Sequence, residues 1–283
     1  MPNIRIIPRL DIKGPNLVKG IHLEGLRVLG KPELFAKHYY QEGADELFFQ
    51  DTVASLYGRN SLHDIITRTA REIFIPLTVG GGLRTIEDIN SVLRAGADKV
   101  AINTAAVNNP EFISEAASKF GSSTIVVALE VIKSSDGSYL VFTDSGREHT
   151  GLKAVEWAIE VEKLGAGELV ITSVDKEGTG EGYDIDLIRM ISEVVSIPVI
   201  AHGGAKNPQD IVDAIKMGHA DAVTVASILH YSAINNLRDL GSEYLEEGNT
   251  SFLNSGRTPK NITPTTLKEI REALVSAGIP TRN

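Results

Sequence analysis

Cysteine is absent from the 283 residues, which excludes disulfides and thiolate chemistry together. Histidine is scarce, seven in all, and none stands at HxH or HExxH spacing, so the sequence holds no metal motif and implies no cofactor. Positive charge is in short supply: 28 Lys and Arg against 37 Asp and Glu leave a net charge of -9. That balance argues against a nucleic-acid or acidic-membrane partner but leaves small anions open, because a local site can be positive inside an acidic protein. No run approaches ~18 unbroken apolar residues, and "MPNIRIIPRLD" lacks a signal-peptide core, so the chain reads as cytoplasmic. No long Pro/Ser/Gly linker divides it, and the expectation is one domain over 1–283.

What is present is an alternation. Short apolar runs recur at 4–11, 46–51, 76–81, 99–103, 125–130, 168–173, 198–203 and 222–227. Between them lie amphipathic stretches such as "TIEDINSVLRAGA" and "PQDIVDAIKMGHA". Eight such βα units predict an α/β fold, a closed (β/α)8 TIM barrel. The chain also echoes itself at an offset of about 122 residues: "IPLTVGGGLRTIEDI" returns as "IPVIAHGGAKNPQDI", and "QEGADELFFQD" as "KLGAGELVITS". A two-fold half-barrel repeat predicts paired sites. One polar, Gly/Asn/Ser-rich stretch at 241–262 breaks the pattern and reads as an exposed insertion before the last helix.

In such barrels chemistry sits at the C-terminal ends of the strands. Those ends here carry Asp11, Asp51, Gly80–Gly82, Asn103, Glu130, Thr172, Gly203–Gly204 and Ser227. The glycine tips pair through the repeat, Gly81–Gly82 with Gly203–Gly204, and Asn103–Thr104 pair with Ala226–Ser227. Bare backbone at a helix N-terminus makes a phosphate cradle, although tight strand-to-helix turns explain any single tip. Two cradles across one mouth imply a substrate with two phosphates. Asp11 on the first strand faces Glu130 on the fifth, suiting acid–base work on the middle of an extended substrate, against the alternative of two solvated or capping acids. Asp51 reads as a partner for Lys19.

The opposite end carries Arg5, Glu46, Lys99 and Glu168 at strand starts. Arg5 and Asp11 share parity, six residues and about 20 Å apart. Two cations and two anions there predict a salt-bridged plug. His202 touches a phosphate or fills space, and Trp157 reads as packing.

With these residues in view, the chain resembles the cyclase subunit of imidazole glycerol phosphate synthase, through "RIIPRLD", "IPLTVGGGLRT", "LRAGADKVAINTAA", "LGAGELVITSVDKEGT" and "IPVIAHGGA". The resemblance implies a two-halved barrel that takes ammonia from a glutaminase subunit docked at its bottom. Ammonia would pass through the barrel to a phosphoribulosyl aminoimidazole carboxamide held between two phosphate sites. It implies Asp11 and Glu130 as catalytic acids, with Gly82, Asn103 and Thr104 at one phosphate site. Gly178, Gly204, Ala226 and Ser227 would form the other, with Lys19, Asp51, Thr172 and Glu177 also at the substrate. Arg5, Glu46, Lys99 and Glu168 would be the ammonia gate, and Asp98 a glutaminase contact.

The departures cluster at the site. Glu130 stands where the family has aspartate, Glu177 where aspartate is usual, Arg9 where cysteine is usual, and His202 where a small hydroxyl residue sits. Arg9 shares parity with Asp11, and a buried guanidinium needs a carboxylate. If it takes Asp11 or Glu130, that acid becomes a poorer proton donor. An alternative reading is a paralogue that channels ammonia for amidation of a bacterial surface sugar, acetamido to acetamidino. A barrel isomerase acting without ammonia would give the four-residue gate no purpose.

Overall fold

A computed structural model describes residues 3–54, 62–237 and 261–282. Eight parallel strands close on themselves: β1 (Arg5–Lys13), β4 (Leu47–Asp51), β5 (Leu77–Gly80), β6 (Lys99–Ile102), β7 (Ile125–Lys133), β10 (Glu168–Ser173), β11 (Val199–His202) and β12 (Ala222–Val225). Each of the eight apolar runs expected from the sequence forms one of them. Between the strands run α1 (Pro32–Gln41), α2 (His63–Ala70), α3 (Ile86–Ala95), α4 (Thr104–Asn108), α5 (Glu111–Phe120), α6 (Ala154–Lys163), α7 (Ile185–Ser192), α8 (Pro208–Lys216), α9 (Ser227–Leu237) and α10 (Leu267–Ser276). Among the described residues no helix is long and apolar enough to cross a membrane. Apart from Asn261 and Ile262, the polar stretch at 241–262 lies outside the described residues.

Strand parity sorts two hydrophobic layers. Ile6, Leu10, Leu47, Phe49, Val79, Val100, Leu169 and Val223 point outward into the main core under the helices. The intervening residues Ile7, Phe48, Ala101, Val126, Val170, Ile200 and Ala222 meet on the barrel axis, none more than 3% exposed. The interior is therefore a packed tier, supplied by seven of the eight barrel strands.

The repeat is structural. Both glycine tips lead into helices opened by a capping box, Thr85 with Asp88 on α3 and Asn207 with Asp210 on α8. At the bottom, Asp45, Asp98 and Asp221 each accept an N–H at the start of a neighbouring strand, from Ile6, Leu77 and Val199 at 2.8, 2.9 and 2.9 Å.

Two excursions were not anticipated from the sequence. β2 (Asn16–Ile21) and β3 (Glu24–Gly30) form a hairpin off β1, and β8 (Tyr139–Thr143) and β9 (Glu148–Lys153) one off β7. The first tip, His22–Leu23, adopts positive φ without glycine, and in the second Asp144 and Ser145 do so ahead of Gly146, which hides both turns from a search for Asn-Gly or Gly-Gly. The tips meet over the mouth, where Arg147 Nε donates to Glu24 at 3.4 Å.

Removing the N-terminal cap of α3 by Thr85→Ala should lower stability by about 1 kcal/mol, read as a lower urea midpoint with unchanged slope.

Candidate active site

β1 places Arg9 and Asp11 on the inward face, two residues apart. Directly beneath Arg9 lies the packed tier, with the guanidinium carbon 5.5 Å from the Phe48 ring centroid. Arg9 Nε donates to Asp11 at 3.0 Å and its Nη1 to Thr172 Oγ1 at 3.4 Å. Arg9 therefore chooses Asp11. Lys19, reaching in from β2, lies 3.7 Å from the other Asp11 oxygen and makes a close ion pair with Glu177. Asp51 was expected to hold Lys19; Glu177 and Asp11 take that place. Asp51 instead accepts from Val53 N–H at 3.1 Å and lines the cavity beside the first glycine tip. The result is a buried chain of alternating charge, Arg9–Asp11–Lys19–Glu177, which balances four ions that singly would be costly to bury.

The two acids end in opposite environments. Burial alone would raise the Asp11 carboxyl, but Arg9 and Lys19 outweigh it and hold it below the usual aspartate value. Burial pushes Glu130 up to about 7, although Gly146 N–H donates to it at 2.8 Å and Arg9 also draws it down. Two carboxyl groups pushed apart divide into an ionised base and a protonated acid. Burial lowers His202 well below the usual histidine value, so its ring is neutral.

The first cradle opens into a cavity of about 260 Å³ lined by Arg9, Asp51, Gly82, Asn103, Thr104, Glu130 and Thr172. Gln50, Arg84 and Ser145 line it too; Gln50 was legible from parity, being inward with Glu46 and Phe48. The second cradle is a recess of about 20 Å³ formed by Lys19, Glu177, Gly178, His202, Gly204, Ala226 and Ser227. Asp11 lines neither space and lies behind Arg9 and Lys19. The glycines themselves have a structural cause. Gly81, Gly203 and Gly204 have φ of 100°, 100° and 105°. A Cβ at Gly81 would strike Asp51, at Gly203 Ser173 O, and at Gly204 Gly182 O. The backbone, not a substrate oxygen, keeps these positions bare.

At the bottom, Arg5 Nη1 bonds Glu46 at 2.8 Å and Glu168 at 2.9 Å, while Lys99 Nζ reaches both carboxylates at 3.2 Å. The four close a ring across the axis, as expected. Asp98 is exposed and holds Leu77 N–H. Trp157 packs in the core at 5% exposure.

Residues 5–235 match the family described as histidine biosynthesis protein. The chain belongs to that family. Among its relatives, imidazole glycerol phosphate synthase subunit HisF of Legionella pneumophila is 57% identical over 204 residues, covering 72% of this chain and 96% of that protein. The subunit of the same name from Alkaliphilus metalliredigens (strain QYMF) is 48% identical over 231 residues, covering 82% and 92%. Membership in the histidine biosynthesis family accords with the two-halved barrel.

Because Glu130 holds its proton up to about pH 7 when folded but only to its ordinary 4.5 when unfolded, its contribution to stability is full below pH 4.5 and lost as pH rises through about 7. Urea midpoints at pH 5 and pH 8 should therefore fall further in the wild type than in Glu130→Gln.

Proposed function

We propose that the chain is the ammonia-dependent cyclase of an imidazole glycerol phosphate synthase, a lyase of histidine biosynthesis working with a glutaminase subunit. The observation that carries this reading is a pair of buried carboxyl groups in unlike settings, Asp11 ion-paired with Arg9 and Lys19 and Glu130 taking the Gly146 N–H, beside two glycine cradles. The substrate, a phosphoribulosyl aminoimidazole carboxamide, places one phosphate at Gly82, Asn103 and Thr104. The other sits at Gly178, Gly204, Ala226 and Ser227. Its middle then crosses Thr172 and Glu130, with Asp11 reached past Arg9 and Lys19. Ammonia condenses there with the substrate carbonyl, whose oxygen leaves as water, and cleavage with ring closure gives imidazole glycerol phosphate and aminoimidazole carboxamide ribotide. Glu130 supplies a proton to the departing nitrogen and Asp11 accepts one from the adding nitrogen, each acting from its resting charge state.

The bottom of the barrel supports an ammonia source there. The charged ring of Arg5, Glu46, Lys99 and Glu168 sits on the axis. Around it the turns before β5, β11 and β12 and the end of α10 expose Phe74, Val194, Met217 and Val275, Phe74 at 80%. Apolar side chains rimming a charged centre suit a docked protein, with Asp98 at its edge. Above the ring lies the packed apolar tier, which ammonia would have to cross and which disfavours ammonium more strongly, because the ion would lose its hydration.

The purified chain, given ammonium and the bisphosphate substrate, should form imidazole glycerol phosphate; no turnover would remove the proposal. Glu130→Asp, which draws the carboxyl back from Gly146 by about 1 Å, should lower kcat roughly 10²-fold. A gain in that variant would show a site shaped for another substrate. Lys99→Met should depress glutamine-driven turnover in the complex while sparing ammonium-driven turnover.

A further inference from the structure

The twin cradles differ at one inward position. Gly80 ends β5 and His202 ends β11, and the repeat superposes them in "TVGGG" and "IAHGG". On the Gly80 side the cavity is about 260 Å³; on the His202 side it is about 20 Å³. His202 is 3% exposed, and its Nδ1 lies 3.5 Å from Thr224 O, which also accepts from Tyr183 Oη at 3.1 Å. A carbonyl only accepts, so Nδ1 carries the ring hydrogen. Nε2 is left a bare lone pair, buried and without a partner. Buried polar atoms in native proteins are satisfied, and an orphan marks a ligand or a strained site. This orphan stands beside the N-terminus of α9, in the recess of Gly204, Ala226 and Ser227.

We propose that His202 is an anion ligand of the second cradle, contacting through Nε2 the phosphate seated there and taking up a proton as that phosphate binds. The inference rests on the anion seat of the proposed function and adds a residue and a proton to it. A lone pair cannot face a phosphate oxygen, whereas the imidazolium satisfies both nitrogens, Nδ1 on Thr224 O and Nε2 on the anion. The other charged groups facing the ring are Arg9 and Asp11 from β1 and Lys19 from β2, with Glu177 across the recess. Burial first, and then Arg9 and Lys19, keep the ring neutral until an anion beside Nε2 offsets them. Gly80 can do none of this, so the two ends of the substrate meet unlike seats, which fixes its direction across the mouth.

Sulfate is the probe, because it is a dianion that brings no proton of its own near neutrality. Calorimetric titration at pH 7.5 in two buffers of different ionisation enthalpy counts the protons taken up. The wild type should take up about one proton per sulfate at the second cradle. His202→Ala should take up none and bind about 10-fold more weakly; His202→Asn, which keeps an N–H but cannot titrate, should recover part of the affinity and none of the uptake. Ala226→Asp, with a carboxylate in the recess, gives the baseline for that seat. Equal uptake in wild type and His202→Asn would overturn the role of His202 and leave the anion seat standing. Wild-type binding no tighter than Ala226→Asp would overturn both.

Discussion

The bond from Arg9 to Asp11 organises everything above the barrel's middle. A guanidinium seated on Phe48 and held to Asp11 and Thr172 separates the apolar interior from the polar mouth. Its charge keeps Asp11 ionised, draws in the sequence Lys19–Glu177, and helps hold His202 neutral. Glu130 lies at the cavity side of the same charge, yet burial dominates and leaves it protonated near neutrality. Charge pairing at Asp11 and burial at Glu130 thus give the two carboxyl groups unlike surroundings.

The half-barrel repeat supplies the frame, and its breaches supply the chemistry. Glu46 and Glu168 are repeat mates and form the two anions of the bottom ring; Lys99 and Arg5 have no cationic counterparts and break the symmetry. At the top, Gly80 against His202 makes one cradle roomy and the other tight. Symmetry that persisted at every position would give a substrate two equal ways to lie. The unequal seats remove that choice.

Much of this was legible in the sequence because strands have a period of two. Parity alone put Arg5, Arg9 and Asp11 on one face, and the repeat aligned the glycine tips and the bottom carboxylates. Pairing choices were less legible: Lys19 reaches Glu177 through a hairpin whose tip has no glycine, so neither β2 nor its partner announced itself. The glycines misled in a different way. Their bareness reads as room for a ligand, but at Gly81, Gly203 and Gly204 neighbouring backbone occupies it. Close approach by the chain itself and by a bound anion leave the same mark on a sequence.

The order of the barrel strands has a consequence for how such a barrel can arise. β1 through β6 form four parallel barrel strands in order, and β7 through β12 form the other four. Cut apart, each set would show two unpaired backbone edges, which invite association. Each edge finds its mate only in the other set, β6 with β7 and β12 with β1. Fusing two similar halves in one chain makes their meeting intramolecular, so closure no longer depends on protein concentration and stray partners lose the competition.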